Sequence, residues 1–199
     1  MAEKRTISRV RPDALALRAL AHPVRLRMLG LLRIDGPATA SGLAAQLGLN
    51  SGATSYHLRQ LARHGFIEDD AGRGNGRERW WRARHETTSF AADGADDETL
   101  RAGVAFGQAA LHWQIGEMER ALAQHAALSP AWRRASTLND FNIPLTAAQA
   151  SALVERLLAV LWEAMAAAPA LGGPYPDGVQ PVTFILHAFP RPPEGGARS

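Results

Sequence analysis

Gly48-Leu49-Asn50 constrains this chain more than any other three residues. Before it, Leu43, Ala44 and Leu47 recur at helical spacing behind Thr39, a side chain suited to capping a helix N-terminus. After it, a second short helix spans about Ser51 to His64, with Thr54, Leu58 and Leu61 on its apolar face and His57 at the edge. Gly48 ends the first helix, since a left-handed terminal residue is least strained as glycine. Leu49 is a buried spacer, and Asn50 caps the helix that follows.

The flanking segments extend the pattern. A helix from about Pro12 to Ala21 carries Leu15, Leu17 and Leu20; His22-Pro23 interrupts it, because the residue before proline is disfavoured in the α region. Proline suits a first helical turn, so a new helix runs from there to about Ile34 on Val24, Met28, Leu29 and Leu32. Asp35-Gly36-Pro37 is a stop and a turn. Beyond the paired short helices, Gly65 ends the second one and Phe66-Ile67-Glu68 begins a strand. A tip, Ala71-Gly72-Arg73-Gly74-Asn75-Gly76, leads to a return strand at Arg77-Glu78-Arg79-Trp80-Trp81-Arg82. Trp80 and Trp81 point to opposite faces, one toward the core and one toward the hairpin's own helix or a partner. Four helices followed by a basic hairpin is the order of a winged helix-turn-helix.

These residues resemble a known family. Leu20-Ala21-His22-Pro23-Val24-Arg25-Leu26-Arg27-Met28-Leu29 looks like its opening motif, and Leu43-Ala44-Ala45-Gln46-Leu47-Gly48-Leu49 like its turn. Ser55-Tyr56-His57-Leu58-Arg59-Gln60-Leu61-Ala62-Arg63-His64-Gly65-Phe66-Ile67 looks like its recognition helix, and Gly76-Arg77-Glu78-Arg79-Trp80-Trp81-Arg82 like its wing. Over roughly residues 13–85 the chain resembles the ArsR/SmtB-type bacterial transcriptional regulators. No single piece carries the resemblance; the ordered set does.

Reading DNA in the major groove requires small or hydrogen-bonding side chains near the helix N-terminus, so that the backbone approaches the base edges. Ser51, Gly52, Ser55 and Tyr56 meet that requirement; Tyr56 is also able to pack against the hairpin. Arg59 reaches a guanine or a phosphate, and Arg63 lies on the same face. His57 reads as a packed, hydrogen-bonded histidine. Arg73, Arg77 and Arg79 at the hairpin are the phosphate or minor-groove candidates, adding affinity without sequence information. For Arg25 the resemblance implies a structural ion pair.

Charge supports a polyanion partner for the front half. Residues 1–90 hold 15 Lys and Arg against 8 Asp and Glu, a net of +7; residues 91–199 hold 7 against 11, a net of −4. A chain 46% hydrophobic and 21% charged is of globular composition. No run is long and apolar enough for a membrane span, and the charged N-terminus lacks the apolar centre of a secretory signal. With no Cys there is neither disulfide nor thiolate nucleophile, which fits a cytoplasmic protein. No Gly-rich phosphate loop, His-Glu-x-x-His or Gly-x-Ser-x-Gly is present, so an enzyme is not expected.

Behind the hairpin a helix of some 30 residues runs from about Asp97 to Leu128. Val104, Leu111 and Met118 lie seven apart, with Ile115 and Leu122 seven apart beside them, the period of helix-on-helix packing. The resemblance makes this seam a homodimer interface; packing within the chain is the other reading. A fold that is mainly α with small β follows: a winged helix-turn-helix DNA-binding domain in 1–90, then a helical dimerisation and effector or partner region in 91–199 with a small α/β portion. That portion comprises a short helix after Ser129-Pro130, a strand at Phe141, Ile143 and Leu145, and a helix behind the capping box at Thr146–Gln149. A final strand follows at Pro181–Pro190, and the tail beyond it reads as disordered. Trp113, Trp132, Phe141 and Trp162 are candidates for lining a small-molecule effector pocket, though an aromatic stripe also serves as core.

Metal sensing, which the resemblance brings to mind, does not fit. The family's paired-Cys site has no Cys here. Its long-helix site, Asp-x-His and then His-x-x-Glu or His after ten residues, meets Ala110 in place of the Asp. His112 and His125 are two residues too far apart, and Leu128 stands where the fourth ligand falls. The expectation is therefore a homodimeric repressor on double-stranded DNA, with no cofactor or metal and an unidentified effector. The alternative is a winged-helix protein-interaction module.

Overall fold

The computed structural model describes residues 4–73, 78–90 and 94–191. A two-residue strand β1 (Arg9–Val10) precedes helix α1 (Ala14–Leu20), whose N-cap is Asp13, accepting from the Ala16 amide at 2.8 Å. That cap starts the helix two residues later than Pro12. Helix α2 (Pro23–Ile34) has proline in its first turn, and the His22 ring, as N-cap, accepts from the Val24 amide.

Strand β2 (Ala38–Thr39) leads directly into α3 (Ala40–Leu47), and Thr39 caps that helix through Oγ1 to the Gly42 amide. Gly48 closes α3 in the left-handed region at φ 66°, and Asn50 Oδ1 takes the Ala53 amide at 2.7 Å to open α4 (Ser51–Arg63). The hairpin follows as β3 (Ile67–Asp69) and β4 (Trp80–Ala83), after which β5 (Thr87–Thr88) runs to the back half.

The antiparallel sheet is ordered β2-β4-β3, with Ala38 opposite Trp81 and Ile67 opposite Ala83. This register turns Trp81 into the core and leaves Trp80 half-buried, as alternation along a strand requires. Leu17, Leu20, Met28, Leu29, Leu43, Leu58, Leu61, Phe66 and Ile67 complete the buried core, each large side chain removed from water contributing about 1.5–3 kcal/mol. β1 pairs in parallel with β5, Arg9 opposite Thr87, and ties the N-terminal segment to the far end of the hairpin. Arg33 braces the same region, donating to the His85 carbonyl and to Thr88 Oγ1, both at 2.8 Å.

The long helix α5 (Asp97–Gln124) is capped by Asp96 and ends in a single 3₁₀ turn, His125–Ala127. It packs on α1 and α2 through Ala102, Gly103 and Ala109, with Phe90 seated against Gly103 and Trp113 against Gly30. Short α6 (Pro130–Ala135) and the capping-boxed α7 (Ala147–Ala167) complete the helices of the described residues. None of these is long and apolar enough to cross a membrane.

Two sequence expectations change here. Residues 141–145 and 181–190 have no regular secondary structure and form no ladder with any described strand. Alternating apolar residues describe an extended chain equally well with or without a neighbour, and only a partner's N–H and C=O groups make it a strand. The return strand of the hairpin also begins at Trp80 rather than Arg77; residues 74–77 lie outside the described residues.

Candidate nucleic-acid interface

The Gly48-Leu49-Asn50 turn sets α4 across α3, and the burial of Thr54, Leu58 and Leu61 fixes which side of α4 turns outward. Thr54 Oγ1 donates to the Asn50 carbonyl, so even the polar member of the buried face is satisfied. Ser51, Gly52, Tyr56, Arg59 and Arg63 are exposed, and Ser55 is half-buried beside them. Gly52 leaves the helix N-terminus without side-chain bulk, and Tyr56 stands out with 52% of its surface exposed. Among the described residues neither Arg59 nor Arg63 has a carboxylate in ion-pair contact.

A groove of about 350 Å³ joins α4 to the hairpin, lined by Ser55 and Arg59, by Thr39, Ala40 and Ser41 at the α3 N-terminus, and by Glu78, Arg79 and Trp81 of the wing. Two arginines and three hydroxyl-bearing residues line it, the side-chain types that contact a phosphate backbone, together with one carboxylate, Glu78.

The hairpin arginines are partnered in a way the sequence did not reveal. Arg79 pairs with Asp69 at 2.7 Å, and Arg73 with Asp70 at 3.1 Å. The Arg79 guanidinium also lies over the Trp81 ring at 4.2 Å, and Arg73 over Trp80 at 6.0 Å. A phosphate approaching the wing must therefore compete with the wing's own carboxylates. Arg77 lies outside the described residues.

Behind the reading face, the His57 ring lies against His22 at 4.6 Å with the planes tilted by 46°, and meets Tyr56 edge-on at 5.4 Å. Its buried Nδ1 has no hydrogen-bond partner among the described residues, so His57 is packed, but the hydrogen bond expected of it is not made through that atom. Burial lowers the pKa of both histidines, and the nearby Arg25 charge lowers them further. Arg25 itself makes no ion pair among the described residues; its Nε is buried without a partner and its guanidinium adjoins Tyr56. The ion pair implied for Arg25 is thus not made among the described residues, and its Nε is left buried without a hydrogen bond. The sequence motif places Arg25 at this junction, but only the fold brings it against α4.

On α5, Val104, Leu111, Ile115, Met118 and Leu122 all present apolar side chains to solvent, Val104 with 62% and Leu122 with 70% of their surface exposed. None of the four aromatic residues expected at an effector pocket lines the groove beside α4. Trp113 rests against Gly30, Trp162 lies beneath the Arg9 guanidinium at 4.8 Å, Phe141 is 80% exposed, and Trp132 is half-buried on α6. His112 Nδ1 lies 3.1 Å from the Gln108 carbonyl, one turn back on its own helix. Among the described residues no three His, Cys, Asp or Glu side chains gather as a metal site.

Residues 20–70 match the helix-turn-helix domain family. With the β2-β4-β3 sheet beside it, this part of the chain is a winged helix-turn-helix followed by a long helix. Among solved structures, it is similar to reduced HlyU from Vibrio cholerae at 21% identity, covering 45% of this chain and 80% of that one, with a TM-score of 0.31. The homodimeric winged helix-turn-helix DNA-binding domain of Mb0332 from Mycobacterium bovis, described as a possible ArsR-family transcriptional regulator, is 24% identical. That likeness covers 52% of this chain and 77% of the other, with a TM-score of 0.32. A possible transcriptional regulator for arsenical resistance is 28% identical over 55% of this chain and 94% of its own, with a TM-score of 0.31. No curated protein matches the chain significantly.

Proposed function

We propose that this protein is a sequence-specific DNA-binding transcriptional regulator of the ArsR type, acting as a homodimeric repressor. The observation that carries the reading is the outward face of α4: small residues at its N-terminus, then Tyr56, Arg59 and Arg63, continuous with a groove into the wing. Ser51, Gly52 and Ser55 let the helix enter a major groove, while Arg59 has the length to reach base edges. Arg63, Arg73, Arg77 and Arg79 supply phosphate contacts, and the net +7 of residues 1–90 supports them at longer range.

The exposed apolar face of α5 supports the homodimer in this reading, with a reader over 1–90 and a dimerising region over 91–199. One recognition helix reads only a few base pairs; two, held by a dimer, read half-sites about one helical turn apart. Nothing in this chemistry calls for catalysis.

Charge reversal at the reading face tests the proposal. Full-length protein carrying Arg59→Glu, Arg77→Glu and Arg79→Glu should lose specific DNA binding while its circular dichroism stays unchanged. Undiminished DNA affinity in the triple variant contradicts the reading and favours a winged-helix module that binds protein.

A further inference from the structure

The winged part of the chain and the C-terminal segment share a second cavity. It holds about 160 Å³ between the end of α2, the β4–β5 connection and residues 170–171. A liquid water occupies about 30 Å³, so the space suits a small organic molecule. Leu32, Pro37 and Leu171 are the larger apolar residues of its lining, and Arg33, Arg82, Arg84, His85 and Glu86 are the polar ones.

Each of the other charged side chains at this cavity has an ion-pair contact. Arg82 and Arg84 share Glu68, and Glu86 pairs with Arg5. His85 has its pKa lowered by burial, then by Arg84 and Arg33, and so stays neutral near neutral pH. Arg33 differs. Its two hydrogen bonds go to neutral acceptors, and no carboxylate among the described residues lies in ion-pair contact with it. Burial lowers its pKa to about 10, the mark of a cation held in a poorly solvated site without a counter-ion.

The closing wall is held by an approach that only glycine allows. A Cβ on Gly172 would stand 2.6 Å from the Gly36 Cα, and Gly172 has φ 77°. Arg5 adds to the closure, donating its amide to the Ala166 carbonyl and Nε to the Ala168 carbonyl, both at 3.0 Å.

We infer that this cavity binds a small organic monocarboxylate, its carboxylate on the Arg33 guanidinium and its apolar body between Leu32, Pro37 and Leu171. A bidentate carboxylate is the partner a planar guanidinium fits best. Because the walls come from both parts of the chain, occupancy ties the C-terminal segment to the end of α2 and to the strand leaving the wing. An effector role for the ligand rests on the regulatory reading above; binding itself does not.

The test is calorimetric titration of the full-length protein with benzoate and butyrate, each against its neutral amide, at constant ionic strength. At least one acid should bind saturably, one per chain, with its amide at least tenfold weaker. Leu171→Trp, which fills the cavity, should abolish binding, and Gly172→Ala, which displaces the closing wall, should weaken it at least tenfold. The inference is overturned if neither acid binds, if the amides bind as well as the acids, or if Leu171→Trp leaves binding intact. DNA affinity is measured separately, with and without the acid. Acid binding that leaves DNA affinity unchanged upholds the site and overturns its effector role; acid binding in a protein with no DNA affinity upholds the site and overturns the regulatory reading.

Discussion

Arg59 and Arg63 stand one turn apart on the exposed side of α4, and the two arginines predict different losses. On the proposed reading, Arg59→Ala removes a base contact and should cost about 1–3 kcal/mol against the specific site, relaxing discrimination at one position. Arg63→Ala on that reading removes a phosphate contact, so it should weaken all DNA sequences alike and reduce the slope of log affinity against log salt by about 1. Anisotropy titrations on specific and scrambled duplexes at several salt concentrations separate the two. The His22–His57 pair makes a pH prediction. Burial holds both pKa values below 6.5 in the folded chain, so the unfolded chain binds more protons as pH falls toward and below that value. The pair's contribution to stability should therefore be present above the unfolded pKa and be lost as pH falls below it, and His57→Gln should flatten the decline in a melting series. At this scale the caps and the outward face of α4 were legible, because Thr39, Asn50 and the Ser-Gly start follow local rules. The pairing of Arg79 with Asp69 was not, since it depends on the register of β3 on β4; nor was the His22–His57 ring contact, which depends on how α2 meets α4.

The turn between α3 and α4 is the element on which the reader depends. Gly48 has φ 66° and nothing within 4 Å of an added Cβ, so Gly48→Ala should cost the backbone strain alone, about 1–2 kcal/mol. Asn50→Ala removes the α4 cap at a cost of about 1 kcal/mol. Denaturant melts of both variants check these values, and Gly48→Asn should be milder than Gly48→Ala because asparagine tolerates the left-handed region. Helices α2 to α5 and α7 were readable from apolar periodicity, with proline, glycine and capping residues marking their ends. The β1–β5 ladder escaped notice because two residues carry no period, and its partner lies on the far side of the winged fold. The segments 141–145 and 181–190 show the converse failure: the alternation is present, but no described strand supplies the pairing.

Across the whole molecule, exposed apolar side chains and charge divide in opposite senses. Among the described residues before 91 the exposed large hydrophobics are Leu15 and Tyr56; beyond it they recur on α5, on α7 and along the irregular C-terminal segments. A basic front and an apolar, mildly acidic back fit a reader attached to an assembly region. Placing Glu at both Leu111 and Met118 should shift the protein to monomer in sedimentation velocity, with its helical signal retained. Specific DNA affinity should fall at least tenfold, since the two recognition helices would no longer be linked. The overall class was readable in the ordered set of motifs over residues 13–85, while the way the C-terminal segment returns to Gly36 and Arg5 was not. The most direct test of the account is a footprint of the purified protein on the DNA upstream of its own gene, beside a scrambled duplex, at about 150 mM salt. The account predicts protection of two half-sites whose centres lie about 34–36 Å apart, and none on the scrambled DNA. Equal occupancy of both DNAs that vanishes as salt is raised would contradict it, leaving only a basic surface.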